Sequence, residues 1–95
     1  MKKNFIAGEW REAASSTENI NPSDTRDSIG QYAKASRADT LDAIAAAKQS
    51  FKAWSRISPL TRFEALDAIG SEIIARKDEL GDMLAREEGK TLAEA

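Results

Sequence analysis

Gly89-Lys90-Thr91 ends like a phosphate-binding loop, in which backbone amides and a lysine cradle phosphate oxygens. The full pattern needs a second glycine five residues earlier, and that place is Leu84; the nearest upstream glycine is Gly81. It also needs a preceding buried strand, whereas the residues before Gly89 read as helix. Cap and turn chemistry is the better reading. Glu87-Glu88 and Asp78-Glu79 are adjacent carboxylates, the raw material of acid–base catalysis. Neighbours on a helix point apart, so neither pair converges on one atom and both read as solvated faces. Trp10, Tyr32, Phe51, Trp54 and Phe63 could form a stacking platform, but Phe51, Trp54 and Phe63 fall on helical stripes and are expected to pack in a core. Arg62, Arg76, Lys77 and Arg86 could make a basic stripe. Glu64, Glu72, Asp78 and Glu79 interrupt it, which suits ion pairing along helices. No Gly-x-Gly-x-x-Gly dinucleotide fingerprint is present.

The chain contains no cysteine and no histidine. That excludes disulfides, a thiolate nucleophile, a Ser-His-Asp triad and imidazole-held zinc within these 95 residues. The 14 basic and 16 acidic residues are interleaved and give a net charge of -2. A nucleic-acid binder instead carries a concentrated positive face. Hydrophobic residues make up 41% of the chain and charged residues 32%. That balance suits a folded soluble chain better than a disordered one. No run reaches the roughly 18 apolar residues of a membrane helix. The first residues hold two lysines but no apolar stretch of secretory length, so a cytoplasmic protein is expected.

These groups sit on elements that divide near Ser36. Asn4-Phe5-Ile6 and Glu9-Trp10-Arg11 flank Ala7-Gly8, which predicts a tight hairpin with Gly8 at positive φ. Ser15-Ser16-Thr17 reads as a polar break, Glu18 to Pro22 as extended chain, Ser23 to Asp27 as a turn, and Ser28 to Ala35 as a strand. The spacing of Leu41, Ile44, Ala47, Phe51 and Trp54 predicts a helix from about Arg37 to Arg56, capped by Ser36 or Asp39. Ser58-Pro59 opens a second helix to about Arg76, with Leu60, Phe63, Leu66, Ile69 and Ile73 as its stripe. A third runs from about Asp78 to Glu88, with Leu80, Met83 and Leu84 inward and Gly89 as a left-handed cap. Thr91-Leu92-Ala93-Glu94 then fits a capping box. It announces another helix just before Ala95, so the chain is expected to be the front part of a longer protein.

Four stretches, in this order and spacing, resemble the N-terminal region of the aldehyde dehydrogenase superfamily. They are Phe5-Ile6-Ala7-Gly8-Glu9-Trp10; Asn21-Pro22 followed by Ile29-Gly30; Ala45-Ala46-Ala47 through Phe51-Lys52-Ala53-Trp54 with Arg62 beyond; and Glu87-Glu88-Gly89-Lys90-Thr91-Leu92-Ala93-Glu94-Ala95. Thr25-Arg26-Asp27 departs from the usual Thr-Gly-Glu kind of turn. Within the superfamily the wording is similar to that of bacterial 2-oxoglutarate semialdehyde and related semialdehyde dehydrogenases.

The resemblance implies an α+β fragment: N-terminal hairpin and strands over residues 1–36, then three helices over 37–95 as the helical layer of an incomplete, Rossmann-like NAD(P)-binding domain. The parent would oxidise an aldehyde or semialdehyde to a carboxylic acid with NAD or NADP. In the family a cysteine attacks the aldehyde, hydride passes to the nicotinamide, and a glutamate-activated water releases the acid. No residue here matches a catalytic, cofactor-binding or metal-ligating motif of the family, so none is assigned, and no cofactor is expected on this segment alone. Its implied partners are the remainder of the dehydrogenase chain and, for the parent, a homodimer or homotetramer; neither nucleic acid nor membrane is among them. Two other readings compete. A stand-alone helical protein-interaction module explains the lack of chemistry but not the β-leaning start or the cap at Thr91. A helix-turn-helix nucleic-acid binder is opposed by the acidic balance.

Overall fold

The computed structural model describes residues 1–95 and contains four short strands followed by three helices. The strands are β1 (Asn4–Ile6), β2 (Glu9–Arg11), β3 (Ser15–Ile20) and β4 (Ser28–Lys34), and the helices are α1 (Arg37–Trp54), α2 (Pro59–Ala75) and α3 (Lys77–Glu88). The α+β character expected from the sequence is therefore observed. The chain clusters into two units: residues 1–19 with 30–56, and residues 20–29 with 57–95.

In the first unit, β1 and β2 pair antiparallel in the register Asn4↔Arg11, Phe5↔Trp10 and Ile6↔Glu9. Ala7 and Gly8 both have positive φ, 54° and 83°. Positive φ at both central residues marks a type I′ turn, whose twist matches the flanking strands. Glycine adopts it freely, whereas alanine does so at a cost. Replacing Ala7 with asparagine, which tolerates this region, should stabilise the hairpin by about 0.5–1 kcal/mol. Slower amide exchange at Ile6 would register the gain; faster exchange would refute it. Phe5 and Trp10 meet across the hairpin with ring centroids 4.9 Å apart, tilted by 53°. Ile6 is buried. Lys2 forms a parallel bridge to Tyr32, with its N–H donating to the Gln31 carbonyl (2.7 Å) and its carbonyl accepting from Ala33 (2.8 Å).

Helix α1 begins where the sequence predicts. Ser36 caps it by accepting from the Asp39 amide, and the Asp39 carboxylate reaches back to the Ser36 amide, completing a capping box. Arg11 of β2 donates to Asp42 of α1 at 3.0 Å.

β3 and β4 form a two-stranded sheet. Here the sequence reading needs correction: Ser15-Ser16-Thr17 lie inside β3, not in a break. Ladder bonds are made by the backbone, and β3 is exposed almost throughout, so polar side chains are tolerated there. Ser16 donates its hydroxyl to Gln31 at 3.0 Å.

In the second unit, Ser58 caps α2 by accepting from the Thr61 amide, with Pro59 at the first helical position. α3 begins one residue earlier than expected, at Lys77, and ends on Gly89 in the left-handed region (φ 70°), whose N–H donates to Ala85 at 2.8 Å. Beyond it, the Glu94 side chain accepts from the Thr91 amide (3.4 Å) and hydroxyl (3.1 Å), the reach-back half of the capping box.

A second correction concerns the core. Phe51, Trp54 and Phe63, expected to be packed, are 68%, 45% and 62% exposed. Leu80 of α3 is also exposed, and the side chain α3 buries is Ala85. Met83 and Leu84 of α3 are half-buried, whereas the large apolar residues of the α1 and α2 stripes stand exposed. No helix is long and apolar enough to cross a membrane.

Candidate functional site

The polar side chains that converge most closely lie in the second unit, where the turn from Asn21 to Asp27 closes on the end of α3. The turn is built by its own short polar residues. Asn21 accepts from the Ser23 amide through its side-chain oxygen (2.9 Å), an Asx turn of the kind asparagine favours before a proline. Backbone bonds run from Asp24 N–H to Asn21 (3.2 Å), from Asp27 N–H to Asp24 (2.9 Å) and from Asn21 N–H to Asp27 (3.0 Å). Arg26 folds back on Asp24 with two bonds of 2.9 and 3.1 Å. The ends of the turn are thus tied to each other before anything else touches it.

Further contacts then join the turn to α3. Arg86 donates twice to the Asp27 carboxylate, Nε to Oδ2 at 2.9 Å and Nη2 to Oδ1 at 2.6 Å. This is the fork geometry that suits guanidinium and carboxylate. Asn21 Nδ2 donates to the same carboxylate at 3.2 Å. Ser23 Oγ donates to the Gly89 carbonyl at 2.6 Å, satisfying an acceptor that the helix end leaves open. The approach at Gly89 is close. A Cβ there would lie 2.5 Å from Ser23 Oγ and 2.8 Å from the Pro22 ring.

The Arg86 guanidinium, with Asn21 as the lesser cause, holds the Asp27 carboxyl at about 2, below its ordinary 3.8. A depressed native value means that the closure is fully present above the ordinary carboxylate range and is lost as pH falls from about 3.8 through about 2. Arg86→Ala should move the Asp27 titration from about 2 most of the way back to 3.8, read by carboxyl carbon shifts. A midpoint that stays near its starting value would contradict the assignment of Arg86 as the main cause.

The residues singled out from sequence go elsewhere. Gly89 is a helix cap, Lys90 pairs with Glu88 at 3.0 Å, and the Thr91 hydroxyl turns to Glu94, so the tripeptide forms no phosphate cradle. Glu79 is held by Arg76 through bonds of 2.9 and 2.6 Å, which pushes the acid's pKa down and the base's up. Glu88 turns to Lys90 at 3.0 Å. Two members of the basic stripe are paired, Arg76 with its helix neighbour Glu79 and Arg86 with Asp27 of the turn. The Arg86–Asp27 pair spans 59 residues, and sequence reasoning misses it. Its signal in the sequence is slight, an acid ending the turn and an arginine in the last turn of α3.

The depression beside this cluster, lined by Asn21, Ser23, Asp82, Arg86 and Lys90 among others, holds about 190 Å³. Small-molecule sites usually start from roughly 300 Å³, so it is small for one. Asn21, Ser23, Asp27 and Arg86 are bonded to one another or to backbone, and so tie the turn to the end of α3.

Residues 10–95 match the sequence model of the aldehyde dehydrogenase family. The chain belongs to that family. Among its relatives, the malonate-semialdehyde dehydrogenase of Lacticaseibacillus casei is 35% identical over 94 residues, 98% of this chain and 19% of the relative. The D-glyceraldehyde dehydrogenase (NADP(+)) of Picrophilus torridus is 35% identical over 99 residues, 98% of this chain and 19% of the relative. The N-succinylglutamate 5-semialdehyde dehydrogenase of Burkholderia mallei is 33% identical over 95 residues, 100% of this chain and 20% of the relative. The chain thus spans about a fifth of the length of the curated relatives it matches. In this aldehyde dehydrogenase segment, the Asn21-Pro22 and Gly89-Lys90 stretches that carry much of the resemblance are parts of one structural feature. Pro22 and Ser23 lie against Gly89, and Asp27 at the end of the turn holds Arg86, three residues before it.

Proposed function

We propose that this chain is the N-terminal segment of an enzyme that oxidises an aldehyde, and more narrowly a semialdehyde, to the carboxylic acid with NAD or NADP, and that its own contribution is structural. The observation that carries the proposal is the family match over residues 10–95 in a chain without a cysteine. The semialdehyde class rests on the names of the relatives from L. casei and B. mallei. The parent reaction consumes aldehyde, water and oxidised cofactor, and yields acid, reduced cofactor and a proton. The bound cofactor would supply the hydride acceptor. A nucleophile of the family's kind has no counterpart among these residues.

Residues 37–95 are assigned, in this reading, to the helical layer of an NAD(P)-binding domain, with 1–36 as the strands that precede it. The apolar faces of α1 and α2 are the surfaces that the remainder of the dehydrogenase covers. Assembly of the parent as a homodimer or homotetramer and a cytoplasmic location complete the reading. A stand-alone interaction module is not favoured, because such a module gives no reason for the family match.

The test is an NAD(P)H absorbance assay with a panel of semialdehydes that includes 2-oxoglutarate semialdehyde. The chain alone should give no turnover, and titration with NAD or NADP should leave the fluorescence of Trp10 and Trp54 unchanged. The same residues joined to the remaining four-fifths of the dehydrogenase should reduce the cofactor. Turnover by the chain alone, or none by the joined enzyme with any aldehyde, would overturn the reading.

A further inference from the structure

We draw no further inference here: the strongest candidate, the uncovered apolar face that Leu60, Phe63, Leu66, Ile69 and Ile73 form along α2, belongs to the reading already proposed, as a surface the rest of the dehydrogenase covers, and nothing in the structure shows a different occupant.

Discussion

Gly89→Ala should open the closure of the Asn21–Asp27 turn on α3. Two effects act together. The backbone at 89 has φ 70°. An L side chain in that region is strained by roughly 1–2 kcal/mol. The new Cβ would also sit 2.5 Å from Ser23 Oγ and 2.8 Å from Pro22 Cγ. The serine can rotate away only by giving up its 2.6 Å bond to the Gly89 carbonyl. The proline ring has little freedom to move. Strain and overpacking together should cost roughly 2–4 kcal/mol locally. Amide exchange at position 89 should accelerate by roughly 30-fold or more. The Asp27 titration should rise from about 2 towards 3.8 as Arg86 loses its hold on the carboxylate. Gly89→Asn separates the two causes. Asparagine tolerates the left-handed region but carries the same Cβ, so it should be nearly as damaging as alanine. If asparagine restores native exchange, the close approach to Pro22 and Ser23 is not what requires glycine.

The second large effect concerns the chain in isolation. Ile6 and Ala85 are the buried apolar residues, whereas Leu60, Phe63, Leu66, Ile69 and Ile73 of α2 are 64%, 62%, 59%, 56% and 54% exposed. Fully covering a side chain of this size is worth roughly 1.5–3 kcal/mol. Even at half that, five of them amount to roughly 5 kcal/mol, comparable to the entire net stability of a small domain. The surface ion pairs cannot compensate, because exposed pairs contribute little and are screened by salt. The isolated chain should therefore bind a hydrophobic dye and associate with itself as concentration rises. Replacing Phe63 and Ile69 with glutamate should raise the solubility of the isolated chain and abolish folding of the joined enzyme, because the same faces are then needed for packing. If the doubly substituted joined enzyme folded normally, α2 would not be an interior helix of the parent.

Local chemistry explains which parts of this architecture are legible in the sequence. Ser58-Pro59 and the left-handed Gly89 act within one or two turns of chain, and each is where the residue types put it. So is the hairpin at Ala7-Gly8, although alanine hides the turn type until its φ is known. Ser15-Ser16-Thr17 misleads because a strand is fixed by its ladder partner, here β4, and an exposed strand needs no apolar alternation. Phe51, Trp54 and Phe63 mislead for a different reason. Their spacing says that a helix has an apolar face, but not what lies against it. The Arg86–Asp27 closure is illegible because it joins residues 59 apart through side chains that are equally at home in solvent. At the candidate site, sequence reasoning places Gly89 as a left-handed cap without seeing that Pro22 and Ser23 lie against it.

The claim on which all this depends is that the apolar faces of α1 and α2 are made to be covered by protein outside these residues. Thermal unfolding of the purified 95-residue chain at several concentrations, followed by far-ultraviolet dichroism alongside sedimentation velocity, addresses it most directly. The account predicts a broad transition that shifts with concentration, and a distribution of associated species. A sharp transition at one temperature whatever the concentration, from a strictly monomeric chain that binds no hydrophobic dye, would contradict it.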